Sequence, residues 1–226
     1  MTREATPEEA CKAIHEALEE LPLLTSPADV PFGDGLYFFF EEGESSYHAP
    51  KGRIVRVGNH PRKQSGLVSR LRIHYSGSKN SSVFRKFLGG ALLRRADPTS
   101  SCLLPGPGKG HWEKLDAKTC PRCRPTEARV SELLRQRFTF RCLWVPDMTE
   151  RNGLEALLVA TLAACQVCGA SPSWLGLYAY SEKVRASGLW NSQYVGDPTI
   201  DQLTLGRLQE LVSGSLELFG RLKKNM

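Results

Sequence analysis

Arg70 and His74 stand four residues apart in a segment where Leu67, Leu71 and Tyr75 recur at the same spacing. A helix there places the guanidinium and the imidazole on one face, one turn apart. Such a pair can contact phosphate and assist a proton transfer. It lies inside a one-sided run of charge. From Lys51 to Arg95 there are twelve Lys or Arg residues and no Asp or Glu, whereas the whole chain carries only +6. The window's +12 is therefore set against −6 in the remainder. A field of one sign attracts polyanions, and phosphate backbones are the commonest of these. Arg56, Arg62, Lys63, Arg72, Lys79, Arg85 and Lys86 are the side chains this window offers to a nucleic acid. The plainer alternative is a solvated basic face without a ligand.

Two further groups carry potential chemistry. Glu155 sits beside the apolar face of the segment 149–165, where a carboxylate is costly unless a cation or hydrogen bonds compensate it. Cys120-Pro-Arg-Cys123 and Cys165-Gln-Val-Cys168 are C-x-x-C pairs, the local spacing of a Cys₄ structural zinc site. The 41 residues between the pairs exceed a compact ribbon, and a trace through helix, strand and helix leaves them at opposite ends of the layer. Cys11, Cys102 and Cys142 read as ordinary thiols, and His48 and His111 as polar surface residues. Seven cysteines, an odd number, argue against a full disulfide framework, and in a reducing compartment they would serve as thiols or metal ligands.

These residues need elements to hold them. Pro7, Glu8 and Glu9 after Thr6 start a helix over 7–20. The β-rich runs Leu36–Phe40 and 52–58 read as strands bounded by Gly33-Asp34-Gly35 and by Gly58-Asn59. The Arg70 helix follows, then a helix over 82–94. Its Gly89-Gly90 pair predicts a kink or a close backbone approach. Proline and glycine exclude regular structure over 96–120. A helix over 126–136, a strand over 138–145 and a helix over 149–165 capped by Thr149 come next. In the tail, Trp174, Leu175, Leu189 and Trp190 read as aromatic anchors packed onto the core, with base stacking as the rival reading. A last amphipathic helix covers 199–222.

At 226 residues and 41% hydrophobic content the chain can bury a substantial core. No run approaches the roughly 18 apolar residues of a membrane span, and the acidic, amphipathic start is unlike a signal peptide. A cytoplasmic protein is the expectation.

The ordered set Gly35-Leu36-Tyr37, Arg56-Val57-Gly58, Arg70-Leu71 with His74, and Glu155-Ala156-Leu157-Leu158 resembles the GIY-YIG nucleases. The likeness covers roughly 32–165. It implies an α/β (α+β) fold: a small, three-stranded, mostly antiparallel sheet flanked by helices. The division that follows is 1–31 as N-terminal helix and lead-in, 32–168 as nuclease-like core with an insertion at about 96–124, and 169–226 as C-terminal extension. It implies an endonuclease that hydrolyses phosphodiesters, most readily DNA, with Mg²⁺ or Mn²⁺. In that reading Tyr37 activates or orients the attacking water, Arg70 stabilises the phosphate, His74 assists, and Glu155 holds the metal. The departure is Arg56, where the family has its second tyrosine. Arginine holds phosphate but cannot act as a base at ordinary pH. A catalytically weak nucleic-acid-binding module on the same fold is the first rival, and a zinc-stapled interaction protein the second.

Overall fold

A computed structural model describes residues 5–60, 66–100, 102–103, 112, 120–121 and 123–224. Its centre is a three-stranded antiparallel sheet of order β2-β1-β3, built from β1 (Gly35–Glu41), β2 (Ile54–Gly58) and β3 (Phe138–Trp144). The fold is α+β. Helices cover both faces of the sheet, so the central strand is apolar throughout rather than alternating with polar residues. The period of two still decides where each side chain goes. Leu36 and Phe38 enter one core with helix α1 (Pro7–Glu19) and helix α5 (Met148–Ala164). Tyr37 and Phe39 enter the other, with α2 (Gly66–Ser76), α3 (Val83–Ala96) and α4 (Cys123–Arg137).

Local signals placed most helix starts. α1 opens on a capping box: the Thr6 hydroxyl accepts the Glu9 N–H at 3.2 Å, and the Glu9 carboxylate accepts the Thr6 N–H at 2.9 Å. α5 is capped two residues before the expected position. Asp147, not Thr149, accepts the Glu150 N–H, at 2.7 Å, because it comes first after the strand and carries the stronger acceptor. α3 runs through Gly89 and Gly90 as one continuous helix. The reason for the glycines is space. A Cβ on Gly89 would lie 1.9 Å from the Trp112 ring, and one on Gly90 would lie 2.7 Å from Tyr180. The expected insertion falls mainly outside the described residues.

Both sheet edges are covered, as exposed edges invite association. Leu24 exchanges backbone hydrogen bonds with Phe140 on β3 (2.8 and 2.9 Å). The Ser215 hydroxyl, on the final helix α7 (Gln202–Lys224), accepts the Trp144 N–H. On β2, Trp190 N–H donates to the Val55 carbonyl at 2.7 Å, and the Asn191 side-chain amide pairs with both backbone groups of Val57. The segment around the short helix α6 (Glu182–Ser187) is thereby tied to the sheet. Trp174 and Trp190 pack together at 5.0 Å, and both indole N–H groups donate to Glu41 on β1. The tail tryptophans are core anchors. Among the described residues, no helix is long and apolar enough to cross a membrane.

Candidate active site

The first tripeptide is a matter of backbone contact. A Cβ at Gly35 would stand 2.1 Å from the Leu143 carbonyl oxygen, so β1 begins with the one residue that lets β3 approach. Two residues on, Tyr37 pairs in register with Gly58, the last residue of β2. A Cβ there would meet the Tyr37 hydroxyl oxygen at 2.3 Å. The glycine of the second tripeptide is thus the seat of the tyrosine of the first. Arg56 pairs with Phe39 and lies on the same face of the sheet as Tyr37, its guanidinium 5.0 Å from the Phe84 ring centre.

The Tyr37 hydroxyl is 2.8 Å from His74 Nε2, and His74 Nδ1 is 2.8 Å from the Ser82 hydroxyl. Ser82 also caps α3 by accepting the Arg85 N–H at 3.1 Å. His74 is buried, and burial, followed by the charges of Arg56, Arg70 and Arg85, lowers its pKa well below the usual histidine range. It is a neutral imidazole, one nitrogen donating and one accepting. In either tautomer it holds the tyrosine in one orientation.

Tyr37, Arg56, Asn59, Arg70, Asn152, Glu155 and Asn191 meet along a cleft of about 410 Å³. Ser192, Gln193 and Tyr194 close it from the C-terminal side. Arg70 donates to the Ser81 carbonyl at 2.9 Å, and Arg56 to the Trp190 carbonyl at 2.5 Å. The Nε–H groups of both arginines have no hydrogen-bond partner among the described residues. Glu155 projects from α5 beside the end of β2, where it accepts the Asn59 N–H. Burial raises its pKa from 4.5 to about 7, against the opposing pull of Arg56 and Arg70. The cleft therefore combines two cationic groups with donors to spare and one carboxylate short of positive charge. That donor set suits a phosphate together with a hard cation, which takes one or two carboxylates and fills its remaining positions with phosphate oxygens and water. Two larger cavities, about 550 and 690 Å³, lie elsewhere; the first mixes Glu19, Glu41, Glu42 and Glu44 with Lys51, Arg137 and Arg141 and so offers no field of one sign to a polyanion.

The basic window looks different once folded. Arg85 is 1% exposed and binds the Glu127 carboxylate at 2.9 Å, the Ser131 hydroxyl at 2.9 Å and the His74 carbonyl at 2.9 Å, joining α2, α3 and α4. Lys79 is equally buried, with its ammonium on Asn80 and 5.4 Å from the Trp112 ring centre. Neither presents its charge to a nucleic acid, contrary to the reading from charge alone. Each has been drawn inside by partners that the count could not pair with it. Arg53 is likewise buried against Glu44 at 2.8 Å. Arg72 is exposed and Lys86 half-buried, while Arg62 and Lys63 lie outside the described residues.

The four-cysteine site is also corrected. Cys120 and Cys123 cluster with Cys102, whereas Cys165 and Cys168 lie in the core that contains Cys11. One metal cannot take both C-x-x-C pairs. Cys102 Sγ is 3.7 Å from Cys120 Sγ, so Cys11 and Cys102 are cluster members rather than isolated thiols. His111 lies outside the described residues. Sequence reasoning also missed Asn59, Asn191 and the 192–194 wall. Of these, only Asn59 carried a signal, its place directly after the Arg56-Val57-Gly58 strand end.

A tyrosine seated on a strand-end glycine, an arginine helix and a carboxylate helix around one antiparallel sheet define an α+β domain of the nuclease type. A family model described as the GIY-YIG domain matches residues 11–217, and the chain belongs to that family. No curated protein and no solved structure matches it.

Proposed function

We propose that the protein is a divalent-metal-dependent endonuclease of the GIY-YIG type that hydrolyses phosphodiesters, with DNA the first substrate to test. The observation that carries this reading is the meeting of Tyr37, Arg56, Arg70 and Glu155 along one cleft. Glu155 holds a Mg²⁺ or Mn²⁺ ion, which when bound supplies Lewis-acid stabilisation to phosphate and leaving oxygens. Arg70 and Arg56 hold the phosphate with guanidinium groups that keep their charge at any working pH. Tyr37 orients the attacking water and takes part in its proton transfer. His74 is a positioning residue. Burial and three guanidiniums oppose an imidazolium there, so it fixes the Tyr37 hydroxyl rather than storing a proton. Arg72 and Lys86 extend the phosphate track from the cleft. The protein works inside the cell, in a compartment that keeps its thiols reduced.

Arg56 favours a second reading, a binding module with weak or no cutting. It supplies a phosphate contact where the family has a proton-transferring tyrosine.

The test is incubation of pooled duplex, branched and single-stranded DNA and RNA with Mg²⁺, with Mn²⁺ and with chelator. Nicking that requires the metal supports the nuclease. Salt-sensitive binding with no cutting on any substrate sinks it and selects the binding module. The pH response adds a constraint. With the Glu155 pKa near 7, a proton competes with the metal at acid pH. The Mg²⁺ concentration giving half-maximal cutting should be about tenfold higher at pH 6 than at pH 8, as expected for a single ligand titrating near neutrality. A metal requirement flat across that range would remove Glu155 from the metal site.

A further inference from the structure

In the core that α1 and α5 form on one face of the sheet, three buried thiols from distant parts of the chain converge. Cys11 comes from the second turn of α1, and Cys165 and Cys168 from the turn that ends α5. The Cys11 and Cys168 sulfurs and a ring nitrogen of His15 all lie within 4.8 Å of one another. Cys165 interacts with both of the other thiols, and its own sulfur accepts the backbone N–H groups of Val167 and Cys168. Backbone N–H groups folded onto the first sulfur of a Cys-x-x-Cys turn neutralise thiolate charge. Free thiols do not need such an arrangement. Thiolates sharing a cation do.

We propose that Cys11, Cys165 and Cys168 bind one zinc ion as thiolates, with an imidazole as the fourth ligand. Zinc favours sulfur and nitrogen donors in a closed tetrahedron at structural sites. The ion would staple α1 to the end of α5, two helices that pack through apolar side chains of one core and a 3.4 Å hydrogen bond from the Gln166 N–H to the Glu8 carboxylate.

Two histidines border the site. His15 Nδ1 lies 3.6 Å from Cys11 Sγ, about the spacing of neighbouring ligands on a zinc tetrahedron. Its hydrogen bonds argue for another role. Nε2 accepts the Ile54 N–H at 3.1 Å, which puts the ring proton on Nδ1, 2.9 Å from the Cys11 carbonyl. Binding through Nδ1 would turn Nε2 into a donor facing a donor. His15 instead donates its Nδ1–H to the Cys11 carbonyl beside the sulfur, supporting the ligand residue from outside. His48 has the opposite character. Both of its ring nitrogens are shielded from solvent, and neither has a hydrogen-bond partner among the described residues. Its loop already reaches the site, since the Ser46 hydroxyl is 2.8 Å from Cys168 Sγ. The geometry assigns the fourth position to His48, which would draw the β1–β2 loop onto the same ion.

The test is the metal content of the full-length protein, purified without chelator and compared with Cys168→Ser and His48→Ala. Cys102, Cys120 and Cys123 form a second thiol cluster, so the readout is the difference between variants rather than the total. Each variant should carry about one zinc ion per chain fewer than the parent. Should Cys168→Ser fail to fold, the parent protein provides a second measurement. Replacement by Co²⁺ should give thiolate-to-cobalt charge-transfer absorption that Cys123→Ser leaves partly in place and His48→Ala alters. Cys11, Cys165 and Cys168 should resist alkylation until a chelator is added. Parent protein that contains no zinc, or a disulfide between Cys168 and either partner in freshly isolated material, overturns the site. Retention of the ion in His48→Ala with loss in His15→Ala overturns the assignment of the fourth ligand.

Discussion

Glu155→Gln should remove the proposed metal-dependent cleavage and leave the fold at least as stable. The two effects come from the same burial. The carboxylate is the cleft's acidic group, and in the proposed mechanism its loss would forfeit the cation and the several kcal/mol a bound cation contributes at the transition state. That is roughly 10³-fold in rate. The glutamine is the same size, and its carbonyl can still accept the Asn59 N–H. Burial raises the glutamate's pKa from 4.5 to about 7 in the folded state. The folded protein therefore binds this proton more tightly than the unfolded chain does. Its contribution to stability is present below about pH 4.5 and is lost as pH rises through 7. A neutral glutamine escapes that loss, so at pH 8 the variant should unfold at the same or a higher denaturant concentration. Unchanged cleavage would mean that Glu155 is not the metal ligand. Lost cleavage together with a large fall in stability would mean that the residue supports the fold and that its catalytic role must be sought elsewhere.

Trp190→Ala costs about 3–5 kcal/mol of stability, the range for truncating a large aromatic core residue. The side chain is completely buried, packs on Trp174 and lies 6.2 Å from the Phe84 ring centre. Its indole N–H is one of two that satisfy Glu41, whose pKa burial already raises. Removing it leaves a cavity and an under-solvated acid together. Domains of this size are stable by about 5–15 kcal/mol, so the loss is a large fraction of the total. The damage should also reach the cleft. Trp190 lends its backbone carbonyl to Arg56, and the next residue, Asn191, pairs with Val57 on the same strand. Chemical denaturation of Trp190→Ala beside Trp190→Phe checks this, with the phenylalanine expected to lose much less. Equal midpoints for all three proteins would mean that the C-terminal segment is not part of the cooperative unit.

Much of the architecture was legible from residues close together in the chain. The capping box at Thr6, the β-rich runs around Tyr37 and Val57, and the four-residue spacing of Arg70 and His74 each report a local backbone geometry. Neighbouring residues impose that geometry whatever the rest of the chain does. The ordered tripeptides and helices pointed to the family for a related reason. Gly35 and Gly58 exist to admit a carbonyl and a tyrosine ring, constraints written at single positions. Tyr37, Arg70 and Glu155, which line one cleft in the fold, could therefore be named as candidates from the sequence.

Which charges face solvent, and which thiols meet, depended on partners far away. Arg85 is buried because Glu127, 42 residues on, neutralises it. Cys168 meets Cys11 and Ser46, the latter 122 residues earlier, and not the other C-x-x-C pair. Asn191 reaches back 134 residues to the edge of β2. Burial of a charge or pairing of two sulfurs is a balance between desolvation and a specific partner at a few ångströms. A sequence counts the charges and spaces the cysteines, but only packing brings the partners within reach.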